Sequence, residues 1–176
     1  MAGYVNNLRA ERAETGGAVL LIDAGDMWQG TLESNLTEGA SVVAAFNTLG
    51  YAAVALGNHE FDFGPVGPAA VPESADDDPQ GVIKARALEA EFPLLAANLI
   101  DISTDLPVDW PNVQPSAIVN AAGVKVGIIG VMTENALLTT ILANTRGLRV
   151  APIAETVQVE AARLRQYGAS VIVVTA

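Results

Sequence analysis

The chain has no cysteine and a single histidine, His59, in 176 residues. The first absence excludes disulfides and thiolate metal sites. The second means that a metal centre needing several imidazoles cannot be furnished by these residues alone. Basic residues are scarce too: nine Lys and Arg face 20 Asp and Glu, for a net charge of −11 and a pI near 4.3. A nucleic-acid backbone is therefore not an expected partner. An anionic substrate is also repelled at long range, so a phosphate site must rely on a local cation. No apolar run reaches the roughly 18 residues of a membrane span. Met1 to Glu14, with Arg9, Glu11, Arg12 and Glu14, lacks the apolar centre of a signal peptide.

What remains is ordinary globular material. Apolar residues make up 51% and charged residues 16%, enough for a real core in one domain of this size. Gly3 to Thr15 reads as a helix with Tyr4, Val5, Leu8 and Ala13 on one side, ended by Gly16-Gly17. Ala18 to Ile22 reads as a buried strand of a parallel sheet, and Met27 to Glu38 as a loop in which Trp28 packs. A helix over Ala40 to Leu49 and a strand over Ala52 to Leu56 complete a right-handed crossover unit.

Pro65 to Gln80 breaks the composition, with four of the chain's nine prolines and the acidic Glu73, Asp76, Asp77 and Asp78. It reads as a solvated surface loop inserted in a single domain; an EF-hand is excluded because its glycine and terminal glutamate are missing. A helix follows over Gly81 to Glu91, striped by Val82, Ala85, Leu88 and Phe92, and then a strand beginning at Leu94. Ser116 to Asn120 and Val124 to Val131 read as a hairpin. The glycines of its second arm are no dinucleotide fingerprint. Glu134 to Asn144 is expected to be helical. So is Ile153 to Gln166, with the apolar stripe Ile153, Val157, Ala161 and Leu164 and a stop at Gly168. Ser170 to Thr175 reads as a final buried strand.

Two polar turns carry the chemistry. Val19 to Ile22 runs into Asp23-Ala24-Gly25-Asp26, and Ala52 to Leu56 runs into Gly57-Asn58-His59-Glu60-Phe61-Asp62. Turns at the C-terminal ends of neighbouring parallel strands meet at the edge where such sheets bind ligands. Asp26 offers a carboxylate and Asn58 an amide oxygen to a hard or borderline cation. The residue types alone leave a plainer reading open, because Asp and Asn also form turns and cap helices.

The wording of the two turns is similar to that of the calcineurin-like metallophosphoesterases. Asp23-Ala24-Gly25-Asp26-Met27-Trp28-Gln29-Gly30-Thr31-Leu32, Leu49-Gly50-Tyr51 and Gly57 to Gly64 resemble the 5'-nucleotidase branch in particular. The resemblance implies an αββα metallophosphatase sandwich, here partial, and hydrolysis of phosphate monoesters, nucleotides foremost. It implies two divalent metal ions (Zn, Mn, Ca or similar), with Asp26 bridging them and Asn58 ligating one. His59 is then a charge-stabilising catalytic residue and Asp62 the carboxylate that orients it. It further implies a periplasmic or extracellular complete protein.

The family's first Asp-x-His block and its later histidine blocks have no counterpart here. The chain is therefore expected to be an internal piece of the domain, inactive by itself, and prone to self-association through the edge left by the absent first strand. A non-catalytic α/β module that keeps the fold is the alternative. A cyclic-nucleotide or sulfur-ester substrate also stays open.

Overall fold

The computed structural model describes residues 1–176, and two packed sheets organise it. Helix α1 (Ala2–Glu14) leads into strand β1 (Ile22–Asp23), a short helix α2 (Leu32–Asn35), helix α3 (Ala40–Leu49) and strand β2 (Ala53–Ala55). After a single 3-10 turn at His59–Asp62 come α4 (Gly81–Glu89), β3 (Leu94–Leu95), β4 (Leu99–Asp101), β5 (Leu106–Pro107) and β6 (Val113–Gln114). The hairpin β7 (Ser116–Ala121) and β8 (Val124–Gly130) follows, then β9 (Leu148–Val150), α5 (Ile153–Gln166) and β10 (Val171–Thr175). The first sheet has the order β1-β2-β3-β6 with every pair parallel. The second is β10-β8-β7, in which β10 runs parallel to β8 and β7 antiparallel. A small third sheet, β5-β4-β9, is antiparallel.

Alternation along the strands builds the layers, because successive side chains point to opposite faces. Ala53 of β2, Leu95 of β3 and Val126 and Ile128 of β8 meet between the two main sheets. Their sequence neighbours Val54 and Leu94 turn the other way, into the largest core beneath α3 and α4 with Val43, Val82, Ile83 and Ala87. On the far side of the second sheet, Ile129 and Val131 pack against Ala161 and Leu164 of α5. Helices, sheet, sheet, helix is thus the layer order, the expected α/β sandwich. A Cβ on Gly130 would lie 2.4 Å from Leu95 Cβ, so a glycine there lets the two sheets approach.

Trp28 is fully buried in the largest core, as a packing residue. Its indole nitrogen has no protein hydrogen-bond partner. Burying a ring of about 150–250 Å² contributes roughly 4–6 kcal/mol at about 25 cal/mol/Å². That outweighs the about 1–3 kcal/mol of one unpaired donor.

Several local expectations are corrected. Residues 134–144 do not form an α-helix: they make two 3-10 turns, Ala136–Leu138 and Leu142–Thr145. The hydroxyls of Thr139 and Thr145 bond the carbonyls of their own turns, competing with a helical ladder. The run Ala18 to Ile22 is half-exposed, and only its last residue enters β1, although Ala52 N still donates to Leu21 O. β10 is likewise half-exposed. β1 and β10 are the outer strands of their sheets, which leaves each with one open edge. In α4 the buried set is Val82, Ile83 and Ala87, with Leu88 facing solvent. Tyr4 is also exposed, so α1 docks through Val5 and through Arg9, whose guanidinium donates to Leu49 O and Gly50 O. The loop 27–38 holds α2, capped by Thr31. Residues 65–80 form no helix or strand, but Gln80 is buried and Ala70 O accepts from Asn144 Nδ2.

Candidate metal-binding active site

The C-terminal ends of β1, β2, β8 and β10 converge on one cleft of about 280 Å³. Asp26 and Asn58 both line it, with Gly25, Gly57, Met132, Thr133 and Ala176. Thr175 Oγ1 donates to Asp23 O at 3.1 Å and so stitches the second sheet to the first beside the cleft. A larger cleft of about 460 Å³ lies elsewhere, among Ala52, Pro93, Ser116 and Arg163. Its one cation is already paired, since the Arg163 guanidinium donates to Glu160 and to Ser116 Oγ.

The two turns are locked into each other. Asp26 Oδ1 accepts from the backbone N–H of His59 at 2.9 Å. In return the carboxylate of Glu60 accepts from Asp26 N at 2.9 Å, Met27 N at 2.8 Å and Gly57 N at 2.7 Å. A Cβ on Gly57 would stand 2.2 Å from Asp26 Oδ1, so only glycine permits this contact. Asp26 itself sits at φ 57, a left-handed conformation costing on the order of 1–3 kcal/mol. The three backbone N–H groups that Glu60 accepts from hold the turn in that conformation. Glu60 is fully buried, and burial pushes its carboxyl up to about 7 against the pull of these three N–H groups, with the nearby Asp26 charge adding to the rise.

Oδ2 of Asp26 and Oδ1 of Asn58 carry no protein hydrogen bond. Asn58 is oriented from its other end, because Nδ2 donates to Thr139 O at 3.1 Å, which leaves its oxygen without a protein partner. A carboxylate and an amide oxygen on one wall suit a hard or borderline divalent cation. Nowhere in the chain do three or more His, Asp or Glu side chains converge as a metal-holding group; the cleft wall carries the side-chain oxygens of Asp26 and Asn58.

His59 lies at the rim, outside the cleft lining, with 39% of its side chain exposed. Its Nδ1 is 2.6 Å from Asp62 Oδ2. That hydrogen bond raises the imidazole above its ordinary value; burial opposes it, and the charges of Asp62, Asp26 and Glu60 reinforce it. Asp62 is held in turn by the Thr140 hydroxyl, 2.8 Å from Oδ1. All four residues singled out in the sequence are therefore brought to one strand edge. Glu60, Thr139 and Thr140 were missed. Glu60 reads in sequence as one more polar turn residue, and nothing local links positions 139 and 140 to positions 58 and 62.

No family model matches the chain. A snake venom 5'-nucleotidase from Gloydius brevicauda is 36% identical over 143 residues, which cover 81% of this chain and 21% of that protein. The crystal structure of a 5'-nucleotidase precursor from Thermus thermophilus superposes with a TM-score of 0.68 at 30% identity, over 88% of this chain and 27% of that one. A calcineurin-like phosphoesterase, YfkN from Bacillus subtilis, superposes with a TM-score of 0.74 at 22% identity, over 98% and 51% respectively. The chain spans about a fifth of the length of the curated relatives it matches.

Proposed function

The chain belongs to the 5'-nucleotidase branch of the calcineurin-like metallophosphoesterases, and from that premise we propose that it contributes half of a metal-dependent site hydrolysing phosphate monoesters, nucleotides foremost. The observation that carries this reading is the meeting of Asp26 and Asn58 on one cleft wall, with the His59–Asp62 pair at its rim. Asp26 would hold two divalent ions (Zn, Mn, Ca or similar) through its carboxylate and Asn58 one through its amide oxygen. When bound, such ions lower the pKa of a water and neutralise phosphoryl oxygens.

The protein's own residues do the rest. Asp62 keeps the His59 ring oriented through Nδ1 and favours the imidazolium. Nε2 is left free to donate to an oxygen on which charge develops. Backbone N–H groups held by Glu60 keep Asp26 beside Asn58 throughout.

One carboxylate and one amide cannot by themselves balance two dications, whose repulsion falls only as the inverse of distance. The remaining ligands therefore come from polypeptide outside these 176 residues, and the chain alone turns over no phosphate ester. Export of the complete protein is part of the same reading, supported by the venom relative.

The test is an assay of the purified chain on AMP and on an aryl phosphate with millimolar Mn²⁺, Zn²⁺ or Ca²⁺, beside a form that includes its flanking sequence. Activity only in the longer form is expected. Turnover of roughly 1–10³ per second by the chain alone, lost in Asp26→Asn, would overturn the ligand count. The small donor set also favours a second reading, a non-catalytic module that keeps the fold. An inactive longer form that still folds would decide for that one.

A further inference from the structure

We infer that Glu60 is a positioning residue for the metal ligands: it assembles the Asp26–Asn58 pair before any cation arrives. The inference rests on the metal reading of those two residues. Its basis is the placement of one fully buried carboxylate across both turns. Asp26 and Met27 present two successive backbone N–H groups next to a left-handed residue, a concave arrangement that suits an anion. Glu60 fills that concavity from the other turn, and its Oε2 also holds Gly57 N. Asp26 answers by accepting from His59 N, so each turn caps the other. Without Glu60 three part-buried donors lose their acceptor, and only the bond from His59 N is left to hold Asp26 in its left-handed conformation. An empty pair of oxygens would then drift apart, and a cation would have to organise them at a cost in affinity.

No near relative of glutamate can replace it. Glutamine has one acceptor oxygen, and its amide would direct N–H groups at a backbone donor. Aspartate is one methylene too short to span both turns.

Amide exchange is read on the 176-residue chain and Zn²⁺ affinity on the longer form that carries the full ligand set, with Zn²⁺ alone as the probe. Hydrogen exchange at the Asp26, Met27 and Gly57 amides, read by NMR in metal-free protein, should show protection that Zn²⁺ does not increase. Glu60→Gln and Glu60→Asp should lose about 10- to 100-fold of that protection while the Val54 and Ile128 amides keep theirs. Zn²⁺ affinity should fall by about 10-fold or more. Amides that exchange freely in the parent until Zn²⁺ is added would overturn the inference, and that arm decides even where a Glu60 variant fails to fold. A folded Glu60→Gln protein with parental Zn²⁺ affinity would overturn it as well. Unchanged Zn²⁺ affinity in Asp26→Asn would instead overturn the metal assignment. The two failures are told apart because amide protection is read without metal.

Discussion

Thr140 donates its hydroxyl to Asp62 Oδ1 at 2.8 Å across 78 positions of the chain, so the carboxylate behind the only imidazole is held at both of its oxygens. Thr140→Val keeps the shape and removes the donor. Hydrogen bonds to charged groups contribute about 1.5–3 kcal/mol, and the partial exposure of Asp62 puts the expected loss near the lower figure. Thr140→Ser should lose far less. Urea unfolding of the two variants decides it, and equal losses would assign the effect to the methyl group.

His59 should titrate above the usual imidazole value of about 6.5 in metal-free protein, because Asp62 bonds its Nδ1. The sign follows from linkage. A group whose pKa is raised on folding adds stability that is complete below its unfolded value. That stability disappears as pH rises through the folded one. The proton NMR signal of the single histidine reads the midpoint directly. Asp62→Asn should bring it down, and an unmoved midpoint would remove Asp62 from its role.

In a form with the full ligand set, His59→Asn should lower turnover by about 10²–10³, the usual cost of a charge-stabilising group, with metal content retained. Asp26→Asn should lose both metal and turnover. Metal analysis beside kinetics separates the two, and equal metal loss would make His59 a ligand.

Gly57→Ala should destabilise by about 1–3 kcal/mol, as overpacking does, because the new methyl would meet Asp26 Oδ1 at 2.2 Å and Asp26 N at 2.8 Å. Gly3→Ala is the contrast. It lies in the first turn of α1 with nothing within 4 Å, and removing a glycine at a helix end should stabilise by less than the about 0.5–1 kcal/mol of a mid-helix position. Thermal melts of both should move in opposite directions.

Periodicity made most of the sandwich legible. The helices Ala40–Leu49 and Ile153–Gln166 and the hairpin of β7 and β8 stand where apolar spacing puts them. β4, β5, β6 and β9 are two or three residues long, too short for any alternation to register. Asp26, Asn58, His59 and Asp62 could be read because the two turns carry a recognisable wording. The bonds that hold them could not. Asn144 donates to Phe61 O from 83 positions away and Thr139 O accepts from Asn58 across 81. A local pattern contains no trace of such pairs.

The bond from Thr175 to Asp23 spans 152 positions. On a ribosome adding roughly 5–20 residues per second, the turn bearing Asp26 waits about 8–30 s for the strand that closes its cleft. Until β8 emerges, the apolar face of β2 and β3 that later meets it has no partner. The nascent polypeptide thus carries its chemistry early and its cover late. Chaperone occupancy should be greatest while residues 60 to 120 are emerging, and should fall once β8 can lie down on the first sheet.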